Sequence, residues 1–224
     1  DEPAANPVSI RRPAQGGPRV VVFGSLNMDL HAVVPEFPKR DSNRKDGEFK
    51  PSPGGKGANE AVGISRLGVG TSLIGRVGRD DIGTTLLAQL PGLGVHVAGV
   101  ERDDRDGVTT GVAVIVQAKK DKAKLTIGCQ GANAHVGDRE LKTLADELGQ
   151  CAALVLQLEV AQAAVVRAAR LARERNKLVV LKTSPIKRAD EAPSALLDMV
   201  DVLFATADEA SVITGIQQGA AAGA

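Results

Sequence analysis

The fold is decided by the stretch PGGKGANEAVGISRLG, residues 53–68. Glycines and a lysine open it, and apolar residues follow at helical spacing, which predicts a tight turn leading into a helix from Lys56 to about Gly68. A helix start presents free backbone N–H groups, and glycine lets a ligand approach the main chain closely. Lys56 and Asn59 add an ammonium and an amide about one turn apart. The stretch therefore predicts a donor-rich site for a hydroxylated or anionic small molecule.

Two nucleotide-binding motifs do not fit this stretch. A P-loop needs a glycine five residues before the Gly-Lys pair and a Ser or Thr after the lysine, whereas these places hold Lys50 and Gly57. The dinucleotide-binding fingerprint needs a third glycine, which is missing after residues 68–70 and after residues 92–94. A glycine-rich turn with a solvated lysine is the alternative to a ligand site, and spacing alone does not separate the two.

Composition narrows the class of protein. The chain of 224 residues can bury a sizeable core, and its net charge of +1 without a basic block argues against nucleic acid as a partner. Aromatic residues make up only 2% of the chain, so a sugar would have to be held by hydrogen bonds and not by stacking. No apolar run reaches membrane-spanning length, so no membrane partner is expected. Cys129 and Cys151 lack metal-ligand spacing and favour a reducing compartment.

The two ends of the chain carry little packing information. Residues 1–18 are rich in proline, lack periodicity and predict a disordered tail. Because the chain starts at Asp1 without Met, this tail could be the remnant of a transit sequence, so we expect a cytoplasmic protein with a plastid as the alternative compartment. Residues 217–224 form a low-complexity end.

Residues 19–216 alternate β-branched runs with amphipathic segments. This rhythm predicts an α/β domain with a mostly parallel central sheet flanked by helices. Two segments, at about residues 30–53 and 108–131, depart from this alternation. The first contains a polar flap, and the second contains strands that no helix separates, which predicts a small antiparallel lid. The predicted strands are Arg19–Phe23, Leu30–Val34, Thr71–Val77, Val95–Val100, Thr109–Gln117, Leu125–Gly128, Ala152–Gln157, Leu178–Leu181 and Val202–Phe204.

Polar residues follow two of the predicted strands. Asn27 and Asp29 come after the first strand, in the connection to the second, and Glu159 follows the strand that ends at Gln157. In open α/β sheets ligands bind at the carboxyl ends of the strands. The Asp29 carboxylate could accept protons from two vicinal hydroxyls, and an Asx turn that caps the loop is the alternative.

Six motifs lie along the chain, namely GSLNMD at 24–29, GGKGAN at 54–59, GRDDIG at 78–83, TGVA at 110–113, GANA at 131–134 and QLE at 157–159. They occur in the order and spacing of the ribokinases of the PfkB carbohydrate kinase superfamily, which the chain resembles over residues 19–216. This resemblance implies a ribokinase-like fold and transfer of the ATP γ-phosphoryl group to O5 of D-ribose, giving D-ribose 5-phosphate, with Mg²⁺ and a K⁺ activator. It also implies a homodimer formed through the lid.

The resemblance also assigns roles to single residues. Glu209 corresponds to a carboxylate near the ATP phosphates, where it would bind Mg²⁺ through water, and Thr206 stands where the family has an amide. Residues 41–43 and 182–183 depart from the family pattern as well. The residues implied for the sugar site are Asn27, Met28, Asp29, Gly55, Lys56, Gly57, Ala58, Asn59 and Glu159.

One family motif has no counterpart in the sequence. Ribokinases carry their catalytic aspartate and anion-hole glycines in a Gly-Ala-Gly-Asp motif, so we expect the C-terminal part of the fold to be absent and the 224-residue chain to be inactive alone. No catalytic residue is therefore predicted within it. The alternatives are a non-catalytic ribose-binding or dimerisation module, or a related sugar kinase such as a deoxyribokinase.

Overall fold

Strands and helices alternate along the chain, as the sequence predicts. The computed structural model describes residues 19–216, so the predicted tail and the low-complexity end lie outside the described residues. The strands are β1 (Arg19–Phe23), β2 (Asn27–Val34), β3 (Glu48–Gly54), β4 (Gly70–Val77), β5 (Val95–Arg102), β6 (Gly111–Ala118), β7 (Lys124–Cys129), β8 (Cys151–Leu156), β9 (Leu178–Lys182) and β10 (Val202–Phe204). The helices are α1 (Lys56–Arg66), α2 (Asp81–Gln89), α3 (Asp138–Glu147), α4 (Gln162–Glu174), α5 (Ser194–Leu197) and α6 (Ala207–Thr214).

Six parallel strands form the main sheet, in the order β10-β9-β8-β1-β4-β5. The first strand lies inside it, where Val22 pairs with Leu73 on one side and with Val155 on the other. Strands buried on both faces are expected to be continuously apolar, and the last three residues of β1, Val21 to Phe23, are buried. The predicted parallel α/β fold is confirmed.

Two apolar layers cover the main sheet. Because side chains alternate along a strand, Val21 and Phe23 point to one face and Val22 to the other. The first face packs against α3, α4 and α5 through residues such as Leu144 and Val165. The second face packs against α1 and α2. None of the helices within residues 19–216 is long and apolar enough to cross a membrane.

The lid is a second sheet, with the strand order β3-β2-β6-β7. Its outer pairs are antiparallel, as predicted, but the central pair, β2 with β6, is parallel, so the expectation of a purely antiparallel lid was wrong. The parallel pairing arises because the chain passes through the main sheet between these two strands. The predicted start of β2 was also late: residues 27–29 belong to the strand and not to a loop.

Candidate functional site

Tight backbone packing explains the glycines that open α1. Gly55 has φ of 87°, and a Cβ on it would lie 2.8 Å from the backbone N of Asn27 and from the backbone O of Ser25. A Cβ on Gly57 would lie 2.6 Å from the backbone N of Ser25. Side chains cannot fit at such distances, so both glycines let α1 start directly against the connection between β1 and β2.

A partly buried ion pair joins the start of α1 to the end of β8. The Lys56 Nζ donates to Glu159 Oε1 at 2.6 Å, and the other carboxylate oxygen accepts from the Lys56 backbone N at 2.9 Å and from Ser25 Oγ at 2.6 Å. Burial alone would raise the pKa of Glu159, but the hydrogen bonds from Lys56 and Ser25 outweigh burial and lower it. We call Ser25, Lys56 and Glu159 the Glu159 centre; its carboxylate stays ionised at neutral pH.

The first N–H groups of α1 do not face an open ligand site, which corrects the expectation from the sequence. The Lys56 N–H is taken by Glu159, the Gly57 N–H points at Ser25 Oγ at 3.3 Å, and the Ala58 N–H donates to Ser25 O at 3.0 Å. Protein acceptors from distant parts of the chain thus satisfy the helix start. The groups left for a ligand are side chains, above all the Lys56 ammonium and its carboxylate partner.

The lid strand β2 brings Asn27 and Asp29 to the edge of the main sheet that holds the Glu159 centre. Alternation along the strand places these two on one face, whereas the Met28 side chain is buried in the core on the other. Met28 and Ala58 therefore contribute packing from their side chains. Burial raises the pKa of Asp29, and the nearby Glu159 carboxylate adds to this, while positive neighbours including Lys56 oppose it. Asp29 thus lies within electrostatic reach of the Glu159 centre.

A small cavity lies between the lid and the main sheet. Its volume is about 170 Å³, and a sugar hydroxyl entering it would meet an amide and a carboxylate. The residues that line the cavity are Asn27, Gly128, Cys129, Gln130, Asn133, Leu158, Glu159 and Pro185. The predicted sugar-site residue Asn59 is not among them; it lies on the first turn of α1 and is exposed to solvent.

A second polar contact lies one turn further along α1. The Gln157 side-chain amide donates to Glu60 Oε2, and neither the Oε1 of Glu60 nor that of Gln157 has a hydrogen-bond partner within residues 19–216. Burial raises the pKa of Glu60 to about 7, although the bond from Gln157 and the charge of Lys182 oppose the rise. We call Glu60 and Gln157 the Glu60 pair.

Glu209 occupies the first turn of α6. Its Oε2 accepts from the Thr206 backbone N at 2.9 Å and from Thr183 Oγ1 at 3.3 Å, and the Thr206 hydroxyl accepts from the Glu209 backbone N at 3.2 Å. This reciprocal arrangement is a capping box. Burial would raise the pKa of Glu209, but the bonds from Thr206 and its neighbours lower it. Within residues 19–216 no cluster of three or more acidic, His or Cys side chains could enclose a metal ion.

Three buried polar residues were not predicted to have a role. Ser25, Asn133 and Gln157 are all fully or almost fully buried, and each makes a side-chain hydrogen bond to a residue of the edge just described. All three lie within the glycine-rich or strand-end motifs of the sequence. Their position in those motifs was the available signal, but their partners are far away in the chain.

Comparison with known proteins identifies the family. The profile of the pfkB family carbohydrate kinases matches residues 18–224. The chain belongs to this family. It is 29% identical over 198 residues to a ribokinase of Haemophilus influenzae, covering 88% of this chain and 63% of that protein. It is 28% identical over 198 residues to a deoxyribokinase of Salmonella typhi, with 88% and 63% covered.

The fold comparison agrees. The structure of Arabidopsis thaliana ribokinase complexed with ribose and ATP superimposes with a TM-score of 0.77 at 27% identity, covering 90% of this chain and 64% of that one. The pfkB chain described here thus has the ribokinase fold and spans a little under two thirds of the length of these relatives.

Proposed function

We propose that this chain is the sugar-binding part of a ribokinase-type kinase whose substrate is D-ribose. The observation that carries the proposal is the convergence of Asn27, Asp29, Lys56 and Glu159, from the lid, from α1 and from the segment after β8, on one edge of the main sheet. The edge combines amide and ammonium donors with two carboxylate acceptors and offers no aromatic surface. Such a set suits a small polyol, whose hydroxyls both donate and accept hydrogen bonds.

The relatives support ribose over other sugars. One of them is a ribokinase, and the related plant ribokinase was solved with ribose and ATP. The similarity to a deoxyribokinase is nearly as high, so deoxyribose is the second candidate substrate. Each hydroxyl that a carboxylate binds contributes roughly 1.5–3 kcal/mol before the cost of ordering the ligand, so the loss of one hydroxyl should be measurable.

ATP and Mg²⁺ are part of the proposed reaction, in which ATP supplies the phosphoryl group and the metal neutralises its charge. Glu209 fits a role near that metal because its hydrogen bonds hold the carboxylate ionised. With one oxygen engaged in the capping box, it would serve Mg²⁺ through a water molecule. The Thr206 hydroxyl, where relatives of the ribokinase type have an amide, is engaged in the same box.

The lid supplies a surface for a homodimer. Its outer strands expose apolar side chains, namely Phe49, Leu125 and Ile127. Burial of such residues against a second lid would stabilise a dimer. Light scattering should then give a dimer for the wild-type chain and a monomer for Ile127→Glu; a wild-type monomer at high concentration would contradict lid dimerisation.

Calorimetric titration and an ADP-release assay test the proposed function on the 224-residue chain. We expect D-ribose to bind with a Kd on the order of millimolar and the chain alone to give no measurable phosphorylation with ATP and Mg²⁺. No binding of D-ribose or of 2-deoxy-D-ribose by the folded chain would refute the sugar site. Robust turnover would refute the expectation that this chain lacks the catalytic groups.

A further inference from the structure

Asn133 sits at the junction of the lid and the main sheet. It belongs to the short 3-10 helix Gly131–His135 that follows β7, and only 1% of its surface is exposed. Its side chain makes four contacts, three of them to Leu26 and Asn27 at the start of β2 and one to Gln130. The Oδ1 accepts from the Leu26 backbone N at 3.0 Å, and the Nδ2 lies 3.0 Å from Leu26 O, 3.0 Å from Gln130 O and 2.8 Å from Asn27 Oδ1.

These contacts fix which atom of each amide is the oxygen. A backbone N–H can only donate, so the atom of Asn133 that faces Leu26 N is the oxygen. The other atom, which faces two backbone carbonyls, must be the NH₂ group. The Asn27 atom beside that NH₂ must then be an acceptor, which makes it Oδ1. The NH₂ group of Asn27 is thereby turned away from Asn133.

Packing keeps this arrangement in place. Gly111, the first residue of β6, pairs in register with Asn27. A Cβ on Gly111 would lie 2.2 Å from Asn133 Nδ2 and 2.2 Å from Asn27 Oδ1. The β6 backbone therefore packs directly against the hydrogen bond between the two amides, and it leaves no room for a side chain at position 111.

We propose that Asn133 is a positioning residue that sets Asn27 as a hydrogen-bond donor toward the cavity. Both asparagines and Glu159 line that cavity. Asn27 then offers two N–H donors, and the carboxylate of Asp29 on the same strand face offers acceptors. A ligand hydroxyl accepts from Asn27 and donates to a carboxylate, so the site selects a polyol over a deoxy analogue. The identity of the ligand rests on the proposed function, whereas the orientation of the amides does not.

Hydrogen exchange of the side-chain amides tests the orientation without any sugar. In ¹⁵N-labelled wild-type chain, we expect the Asn133 NH₂ to exchange slowly and the Asn27 NH₂ to exchange at least 10-fold faster; Asn27→Ala identifies the Asn27 signals. A slowly exchanging Asn27 NH₂ beside a rapidly exchanging Asn133 NH₂ would overturn the proposal, even if the chain binds ribose.

Substitution of Asn133 tests the consequence for binding. In Asn133→Asp the NH₂ becomes a second oxygen, so Asn27 must turn its own NH₂ toward it; exchange at Asn27 should slow and affinity for D-ribose should fall at least 10-fold. Asn176→Asp, just after the exposed end of α4, is the charge-matched control and should bind as wild type. In an Asn27→Ala background the Asn133 substitution should add less than 2-fold, whereas fully additive losses would assign Asn133 a merely structural role.

Two further outcomes are also decisive. If Asn133→Asp does not fold, Gly111→Ala disturbs the same bond by steric contact, and it should speed exchange of the Asn133 NH₂, while Gly149→Ala, which has open space, should not. Unchanged exchange in Gly111→Ala would contradict the proposed packing. If wild type shows the expected exchange but binds no sugar, the proposed function fails and the positioning of Asn27 stands.

Discussion

The Glu159 centre and the Glu60 pair each hold a partly buried carboxylate, but the two carboxylates differ in the number of hydrogen-bond donors that reach them. Both join the first two turns of α1 to the segment that follows β8, where Gln157 and Glu159 lie two positions apart. In the Glu159 centre three donors meet one carboxylate, and its pKa falls. In the Glu60 pair a single amide meets the carboxylate, two oxygens lack partners among residues 19–216, and the pKa of Glu60 rises to about 7. Burial raises the pKa of both carboxyl groups, so the number of donors decides which of them has a lowered pKa.

The largest expected effect follows from removing the Glu159 carboxylate. Glu159→Ala deletes three hydrogen bonds and leaves the Lys56 ammonium without its carboxylate, which should lower the free energy of unfolding by about 3–5 kcal/mol. Urea unfolding measures this. Glu174→Ala, at the exposed end of α4, should leave the midpoint unchanged. A loss below about 1 kcal/mol at Glu159 would show that the centre contributes no more than a surface pair.

The Glu60 pair should respond to pH in the opposite sense. Because the pKa of Glu60 is raised from 4.5 to about 7, the folded state holds this proton more tightly than the unfolded state. The contribution of Glu60 to stability is therefore fully present below pH 4.5 and is lost as pH rises through 7. Glu60→Gln should match wild type near pH 4.5 and be more stable at pH 8, by roughly 3 kcal/mol at most.

Thermal unfolding from pH 4.5 to 8 measures this difference. The amide introduced by Glu60→Gln keeps an acceptor for Gln157, so the shape of the contact is preserved. Glu174→Gln is the matched change at the exposed end of α4, and it should give the same pH profile as wild type. A Glu60→Gln variant that is less stable than wild type at pH 8 would contradict the assignment of a buried carboxylate with too few donors.

Close packing distinguishes the start of α1 from its middle. A Cβ at position 57 meets the backbone of Gly24 and Ser25 at 2.6–2.8 Å, and backbone atoms have little room to move. Gly57→Ala should therefore destabilise the fold by about 1–3 kcal/mol and displace the Glu159 centre. Differential scanning calorimetry measures the loss. Wild-type stability in this variant would mean that the helix start is looser than the structure shows.

The smallest effect is expected beside the Glu60 pair. Gly63 lies in the middle of α1, and nothing lies within 4 Å of the place where its Cβ would be. Gly63→Ala should stabilise the protein by about 0.5–1 kcal/mol, because it reduces the freedom of the unfolded chain and favours the helix. Urea unfolding of this variant measures the gain. A loss of stability would show that the open space beside Gly63 is filled in solution.

Sequence reasoning found the elements better than the contacts. Periodicity placed β1 and β10 at their observed bounds and placed α1 within two residues, because these signals are local. It could not show that β2 and β6 run parallel, since β3, α1, β4, α2 and β5 lie between them in the chain.

At the candidate site, too, local signals were readable and distant contacts were not. The glycine-rich start of α1 located the edge, but its N–H groups proved to be satisfied by Ser25 and by Glu159, the latter 103 residues away from Lys56. Asn27 and Asp29 were singled out because they are polar after a strand, yet Met28 between them packs in the core. Asn133 lies in one of the quoted motifs, but its role depends on a contact across 106 residues, which no local pattern reveals.

Stabilisation by ribose tests the central claim most directly, namely that the edge around Asp29 and the Glu159 centre binds this sugar. D-ribose at 100 mM should raise the free energy of unfolding of the wild-type chain by about 1–3 kcal/mol for a Kd of 1–10 mM. L-ribose, which affects bulk water equally, should not, and Asp29→Asn should lose the response to D-ribose. Equal stabilisation by both enantiomers, or an undiminished response in Asp29→Asn, would contradict the account.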